Sequence, residues 1–375
     1  MRRFDVIVLG GGVIGCAIAE ELAQHGRSVC LIERGTVGCE ASKAAAGILS
    51  AQMDLEKPDA FFELCQASRR MYPRWVRHLE QRSGLDLDYR ETGILYLALT
   101  PADAHTMQTR MHWQLRCGLR VERWSPREVL RHEPNVTERM QAGFFFPTEA
   151  QLDNEKLMEA LAIACKKAGV IVSERTTVTR LLLRNGKVIG VQTDRQHLKA
   201  SVVVNCLGSW ASLDRTPARH LSIVPAKGQM LVFDAPKRLF RHVVLSMVGR
   251  RVVYGVQRRD GRLLVGSTVE FVGFDRRVTL EGLHTIVNRF RRIVRAAVFA
   301  RCALQETWAG FRPYSQDGLP ILGGTPIEGL YVALGHFRHG ILLAPITASL
   351  LCELLLKGKG SPFLEAFSSS RFLNT

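Results

Sequence analysis

The chain has 375 residues, 46% of them hydrophobic, and a formal net charge of +16. This is the length and composition of an ordinary globular protein of two or three domains, which sets aside a disordered or fibrous chain. Nine scattered cysteines with no C-x-x-C pair argue against a zinc site or a disulfide framework and for reduced, mostly buried thiols.

Phe4 to Arg34 reads FDVIVLGGGVIGCAIAEELAQHGRSVCLIER: an apolar strand, a glycine loop, a helix, a second strand and an acid. Gly10, Gly12 and Gly15 fall on the G-x-G-x-x-G spacing of a dinucleotide-binding turn. Gly10 allows the tight turn, Gly12 lets backbone approach a pyrophosphate, and Gly15 lets the helix pack on the strand. The helix N-terminus, opening at Val13 and Ile14, then offers its N–H groups and dipole to phosphates. Glu33 is placed to accept hydrogen bonds from an adenosine ribose and would repel a 2′-phosphate. The small-residue loop Gly38 to Gly47 would let backbone run close to a ligand.

Helical patterns continue through Arg82, and residues 85 to 100 alternate as strands. SPREVL predicts a helix capped by Ser125 with Pro126 at its first position. Asp153 caps a helix that ends at Gly169, followed by a strand (Val170 to Ser173) and a hairpin turning at Asn185-Gly186. SVVVNCLG brings a buried strand to Gly208. A strand–turn–strand unit surrounds Asp260-Gly261. Asn288 to Arg301 (NRFRRIVRAAVFAR) predicts a basic amphipathic helix. The final stretch, Gly329 to Leu356, runs strand, Gly335, loop and long helix. Its apolar run, Ile341 to Leu356, carries Pro345 and Glu353, too short and interrupted for a membrane span. With no signal-peptide pattern, the expected compartment is the cytoplasm.

The expected architecture is α/β: a doubly wound dinucleotide domain from residues 1–88, 148–221 and 307–375, and an antiparallel-sheet substrate domain from 89–147 and 222–306. Between Pro236 and Arg301 fifteen Lys or Arg face four acids. A solvated face is the favoured reading of this charge; an anionic partner such as nucleic acid or a lipid surface is the alternative. No RNA-binding motif or aromatic stacking signature accompanies it.

GLYVALGHFRHGILLAP aims a second helix N-terminus back at the cleft, where it would stabilise charge gained by a reduced flavin. Together with GGGVIG, EASKAAAGIL, the hairpin Tyr254 to Gly266 and WAGFRPYSQDGLPILG, it gives a chain that, over nearly its whole length, resembles the glycine oxidase branch of the D-amino-acid-oxidase-like flavoproteins. That branch is associated with thiamine thiazole synthesis. The resemblance implies non-covalent FAD, held by Gly10, Gly12, Val13, Ile14, Gly15, Glu33 and Arg34, and by Ala41, Ser42, Ala46 and Gly47 of the small-residue loop. It places the backbone of Val178 at the adenine, Gly208 and Trp210 beside the flavin and pyrophosphate, and Gly335, His336, Phe337, Arg338, His339, Gly340, Ile341 and Leu342 at the flavin pyrimidine edge.

For substrate, the resemblance makes Arg312 of W-A-G-x-R-P the carboxylate-gripping arginine, a role suited to a planar guanidinium. Tyr254 either hydrogen-bonds that carboxylate or packs across the strands. The backbone carbonyl of Arg338 would receive the amine. The implied reaction is oxidation of glycine, sarcosine or a small D-amino acid by hydride transfer to flavin N5, with the imine hydrolysed and O2 reduced to H2O2. Relatives of this kind are commonly homotetramers.

Three departures from the family pattern stand out. Tyr254-Gly255-Val256-Gln257-Arg258 lacks a proline and gains a glycine, which would loosen that strand. His339 replaces an Asn and either tunes the flavin or caps the helix. Lys43 replaces a smaller or aromatic residue and contacts phosphate or faces solvent. Three further readings stay open: the same chemistry on a carboxymethylaminomethyl-uridine in tRNA, a quinone-linked amino-acid dehydrogenase, and a non-catalytic flavin scaffold.

Overall fold

The computed structural model describes residues 2–53, 55–211, 221–235, 239–249 and 251–372. Residues 236–238 and 250 of the basic segment, and 212–220 of the expected stretch 148–221, lie outside the described residues.

The four-residue strand Val6–Leu9 is buried throughout and lies inside a six-stranded sheet. It pairs in parallel with Val29–Ile32 on one side and Val202–Asn205 on the other. Ile171–Ser173 and Leu330–Leu334 extend the parallel array, and Ile321–Gly324 closes one edge antiparallel. Because strand side chains alternate, Val6 and Val8 meet the helices while Ile7 and Leu9 face the opposite way. The opposite face is covered by a three-stranded antiparallel sheet, whose Leu181, Val191 and Leu198 join that core. Its turn has Asn185 at φ 51° and Gly186 at φ 76°, the left-handed pair of a tight hairpin.

Four helices cover the first face: Val13–Gln24, Ala60–Ser83, Asn154–Lys167 and Gly340–Lys357. Against expectation, Phe337–Lys357, which contains the last of these, is long and apolar enough to cross a membrane by length and composition, yet Leu343, Ala344 and Leu351 are fully buried in the protein core. Pro345 lies inside it and has no N–H to give the carbonyl of Ile341. The Tyr72 hydroxyl donates to that carbonyl instead, and Ser68 Oγ donates to the next one, Leu342 O, at 2.6 Å. Asp153 caps its helix through the N–H groups of Glu155 and Lys156, and Ser125 forms a capping box with Glu128.

The second sheet has eight strands. Two stretches, 89–147 and 222–306, are inserted between strands of the six-stranded sheet, and Ile94–Ala98, Glu122–Trp124 and Ala142–Phe146 come from the first insertion. Ile223–Asp234, Val243–Val248, Arg251–Gln257 and Arg262–Gly266 come from the second. The parallel pairing of Val243–Leu245 with Ile94–Tyr96 stitches the two insertions together. Ala303–Ser315, which crosses position 307, runs along the outer edge of this sheet beside Ile223–Asp234.

Two expectations are corrected. The basic helix of 288–301 is two pieces: Leu280–Ile293, begun earlier by the Thr279 cap, and Ala296–Phe299. Val294 is extended because it bridges to Val136, which breaks the helix. Gly255 does not loosen its strand, which is paired on both sides. A Cβ there would stand 2.6 Å from the Phe240 ring, so glycine is what lets the aromatic layer close.

Candidate active site

A cavity of about 960 Å³ opens at the carboxyl ends of the parallel strands and is walled on its far side by the eight-stranded sheet. This is where doubly wound sheets bind ligands.

The nucleotide side is built from backbone. Gly10 has φ 100°, and a Cβ there would lie 2.5 Å from Cys206 O. A Cβ on Gly15 would lie 2.0 Å from Gly10 O, so only glycine lets the helix start on the turn. Gly12 is the extended N-cap residue and caps with no side chain. Ser42 Oγ reaches across to accept from Val13 N at 3.0 Å, a cap from outside the helix. Glu33 is buried, and its two oxygens accept from Gly11 N (2.7 Å) and Gly35 N (2.8 Å). Each carboxylate oxygen keeps a lone pair for a further donor. Arg34 lies 3.8 Å over the Trp210 ring and pairs with Glu40 at 2.6 Å.

Val13, Ile14, Ala41, Ala46, Gly47, Gly208 and Trp210 all line the cavity, as do residues 335–342. Gly15 does not itself line it but shapes the turn. Val178 is not among the lining residues; it pairs with Thr193 and packs against the core beneath the sheet. Lys43 is exposed and outside the lining, so of its two readings it faces solvent. His339 sits at the N-cap position but makes no capping bond. Its ring instead meets Phe61 edge-on at 5.1 Å. That leaves the N-terminus of Gly340–Lys357 open to the cavity. Burial pulls the His336 imidazole down to about 3, so it is neutral, held by Thr347 Oγ1 at 3.1 Å. Phe337 has φ 46°, a left-handed conformation unusual for an aromatic residue and held by packing against Tyr314.

The opposite wall is built from side chains. Arg312 donates from Nη1 to Thr268 O (3.1 Å) and from Nη2 to Ser267 Oγ (2.8 Å). Among the described residues it has no ion-pair partner; the nearby Glu270 pairs with Lys227 at 3.4 Å. Removal from solvent draws its pKa below the ordinary value and the Arg338 charge adds to this, while Tyr254 opposes it. An arginine still stays protonated. Tyr254 shares the cavity wall, its hydroxyl 3.1 Å from Met230 Sδ. The Arg338 side chain is exposed over its neighbour Phe337, 5.5 Å from the ring, consistent with a role for its backbone alone. Ile48 and Val269 also reach the cavity.

Several further residues support this wall in ways that the sequence alone does not disclose. Gly228, directly across the ladder from Gly310, leaves the space that Arg312 fills: a Cβ there would lie 2.2 Å from Nη1. Trp308 Nε1 donates to Ala44 O at 3.1 Å, and Gly310 lets Ala44 approach, so the tryptophan and glycine of WAGFRP dock the strand on the small-residue loop. Buried Arg258 ties the hairpin to the same loop through Leu152 O, Ala46 O (3.1 Å) and Asn154 Oδ1 (2.9 Å).

A glycine cradle facing two open helix starts fits a pyrophosphate-linked dinucleotide, and the unpaired guanidinium opposite fits an organic anion. Known proteins agree with the dinucleotide reading. The FAD dependent oxidoreductase family (DAO) matches residues 5–354. The chain is 37% identical to the bifunctional protein ThiO/ThiG of Synechocystis sp. over 99% of its own length and 54% of that protein's. It thus spans about half the length of that curated relative. Against glycine oxidase of Geobacillus kaustophilus it is 34% identical, covering 99% of this chain and 98% of that one. The crystal structure of a Geobacillus kaustophilus glycine oxidase superposes with a TM-score of 0.92 at 34% identity, over 98% of each chain. With cradle, fold and similarity along the chain in agreement, the chain belongs to the FAD dependent oxidoreductase (DAO) family and is similar over its length to glycine oxidases.

Proposed function

We propose that the chain oxidises a small amino acid or amine bearing a carboxylate, such as glycine, sarcosine or a small D-amino acid, to an imine that hydrolyses to glyoxylate or a keto acid. The observation that carries this reading is Arg312: a half-buried cation, without a carboxylate partner among the described residues, on the wall of the cavity that contains the dinucleotide cradle. Such a charge is costly unless an anion joins it.

Gly10, Gly12, Glu33 and Ser42, with the Gly340 helix start, would hold the cofactor. When bound, FAD supplies the acceptor for a hydride from the substrate Cα and passes the electrons to O2, giving H2O2. Arg312 grips the carboxylate through the donors it does not spend on Thr268 and Ser267, with Tyr254 alongside. The Arg338 carbonyl accepts from the amine. Oxidation needs the amine unprotonated, and the positive field of Arg312 favours that form. No separate base is required, and His336, held to Thr347, is not placed as one. The cofactor would be held without a covalent bond; of the two cysteines that line the cavity, Cys39 and Cys206, burial pushes the Cys206 thiol well up, away from the reactive thiolate.

The test is to purify the protein with its flavin and titrate it anaerobically with a panel of amines. Bleaching by glycine, sarcosine or a small D-amino acid, followed by glyoxylate or keto acid and H2O2 on admitting air, supports the reading. A flavin untouched by every amino acid, or one reoxidised only by a quinone, contradicts it.

A further inference from the structure

The cavity does not end at Arg312 and Tyr254. It continues along Tyr96, Thr106 and Arg110 on one side and Met247, Arg251 and Val252 on the other. Glycine has no substituent to place there. Arg110 comes from the helix Pro101–Arg116 and is partly buried, with Nη1 donating to Met53 O. Among the described residues neither Arg110 nor Arg251 has an ion-pair partner. Of the acids that face this part of the cavity, Asp103 feels the Arg110 charge but forms no ion pair with it. Asp103 accepts from the Tyr96 hydroxyl and from Leu99 N (3.1 Å), and Glu56 is exposed at the rim. Behind Arg251, Arg289 adds a further positive charge: desolvation and the Arg251 charge together lower its pKa.

We infer that the extended cavity selects amino acids with a second carboxylate, the first held by Arg312 and the second by Arg110, with Arg251 at the mouth. This rests on the amine-oxidising reading above and names its substrate class. Two fixed cations at separate points of one cavity recognise a dianion better than a monoanion, because the second carboxylate gains a charge-assisted contact that a neutral tail cannot make. The tail can hang from the nitrogen or from Cα.

The test compares each dicarboxylate with its own neutral monoamide: iminodiacetate and N-(carboxymethyl)-β-alanine for tails on nitrogen, D-aspartate and D-glutamate for tails on Cα. The readout is the half-bleaching concentration, meaning the concentration at which the flavin bleaches anaerobically at half its maximal rate. At least one dicarboxylate should need about tenfold less than its amide, and added salt should shrink that ratio. Arg110→Gln, checked for unchanged flavin content, should bring the ratio to about one, and Arg110→Lys should restore part of it. Amides equal to or better than every acid overturn the inference, as does a ratio that survives in an Arg110→Gln/Arg251→Gln double variant. If glycine and sarcosine also fail to bleach the flavin, the amine-oxidising reading itself has failed. If they succeed while the acids show no advantage, only the present inference falls.

Discussion

On the nucleotide side of the cavity the working groups are backbone amides of a turn and two helix starts, gathered from short stretches of chain. On the substrate side they are side chains, and each is held by another residue far away in sequence: Arg312 by Thr268, Ser267 and the space at Gly228. The first construction has almost no freedom, because its close contacts are backbone on backbone. The second can be displaced without disturbing the fold, which is how one cofactor cradle can serve many substrates.

That contrast predicts unequal consequences for equally small changes. Gly15→Ala sets a methyl 2.0 Å from Gly10 O, where neither partner can yield. FAD affinity should fall by about a hundredfold or more, roughly 3 kcal/mol, and the protein should purify nearly colourless. A flavin-to-protein absorbance ratio equal to that of the unaltered chain would show the cradle is less rigid than described. Gly228→Ala sets its methyl against the flexible end of Arg312 instead. Flavin content should not change, while the glycine needed for half-bleaching rises about tenfold. Loss of flavin from this variant would mean the two sides are not separable.

A smaller effect concerns the join between the two sides. His336 has an ordinary pKa near 6.5 when unfolded and is depressed to about 3 when folded. Below pH 6.5 the unfolded chain takes up a proton that the folded one refuses. The His336 contribution is therefore fully present above pH 6.5 and is lost as pH falls towards 3, by at most about 1.4 kcal/mol per pH unit. Thermal unfolding followed from pH 7 to 5 should show a shallower decline in His336→Gln. Parallel curves would place the imidazole in water.

The same contrast explains what the sequence disclosed. Gly10, Gly12, Gly15 and Glu33 follow a fixed local spacing, and GHFRHG sits at a strand-to-helix turn, so both helix starts were legible. Arg312 was legible only through its resemblance to a family motif. Gly228, Arg258 and the Ser42 cap were not, because their partners lie at distant positions that pairing alone brings together. The helix expected over 288–301 failed for a related reason: its charge periodicity continues through Val294, but the bridge to Val136 is tertiary. Val178 is assigned to adenine by the resemblance, and its position outside the cavity lining gives that role no support here.

The account turns on whether Arg312 serves substrate and not cofactor. The most direct measurement is anaerobic titration of Arg312→Ala with glycine or sarcosine, alongside its FAD content. The expected result is a fully yellow protein whose half-bleaching concentration rises about a hundredfold or more. A variant that keeps its flavin and bleaches at the original concentration would contradict the assignment of the substrate carboxylate to this wall.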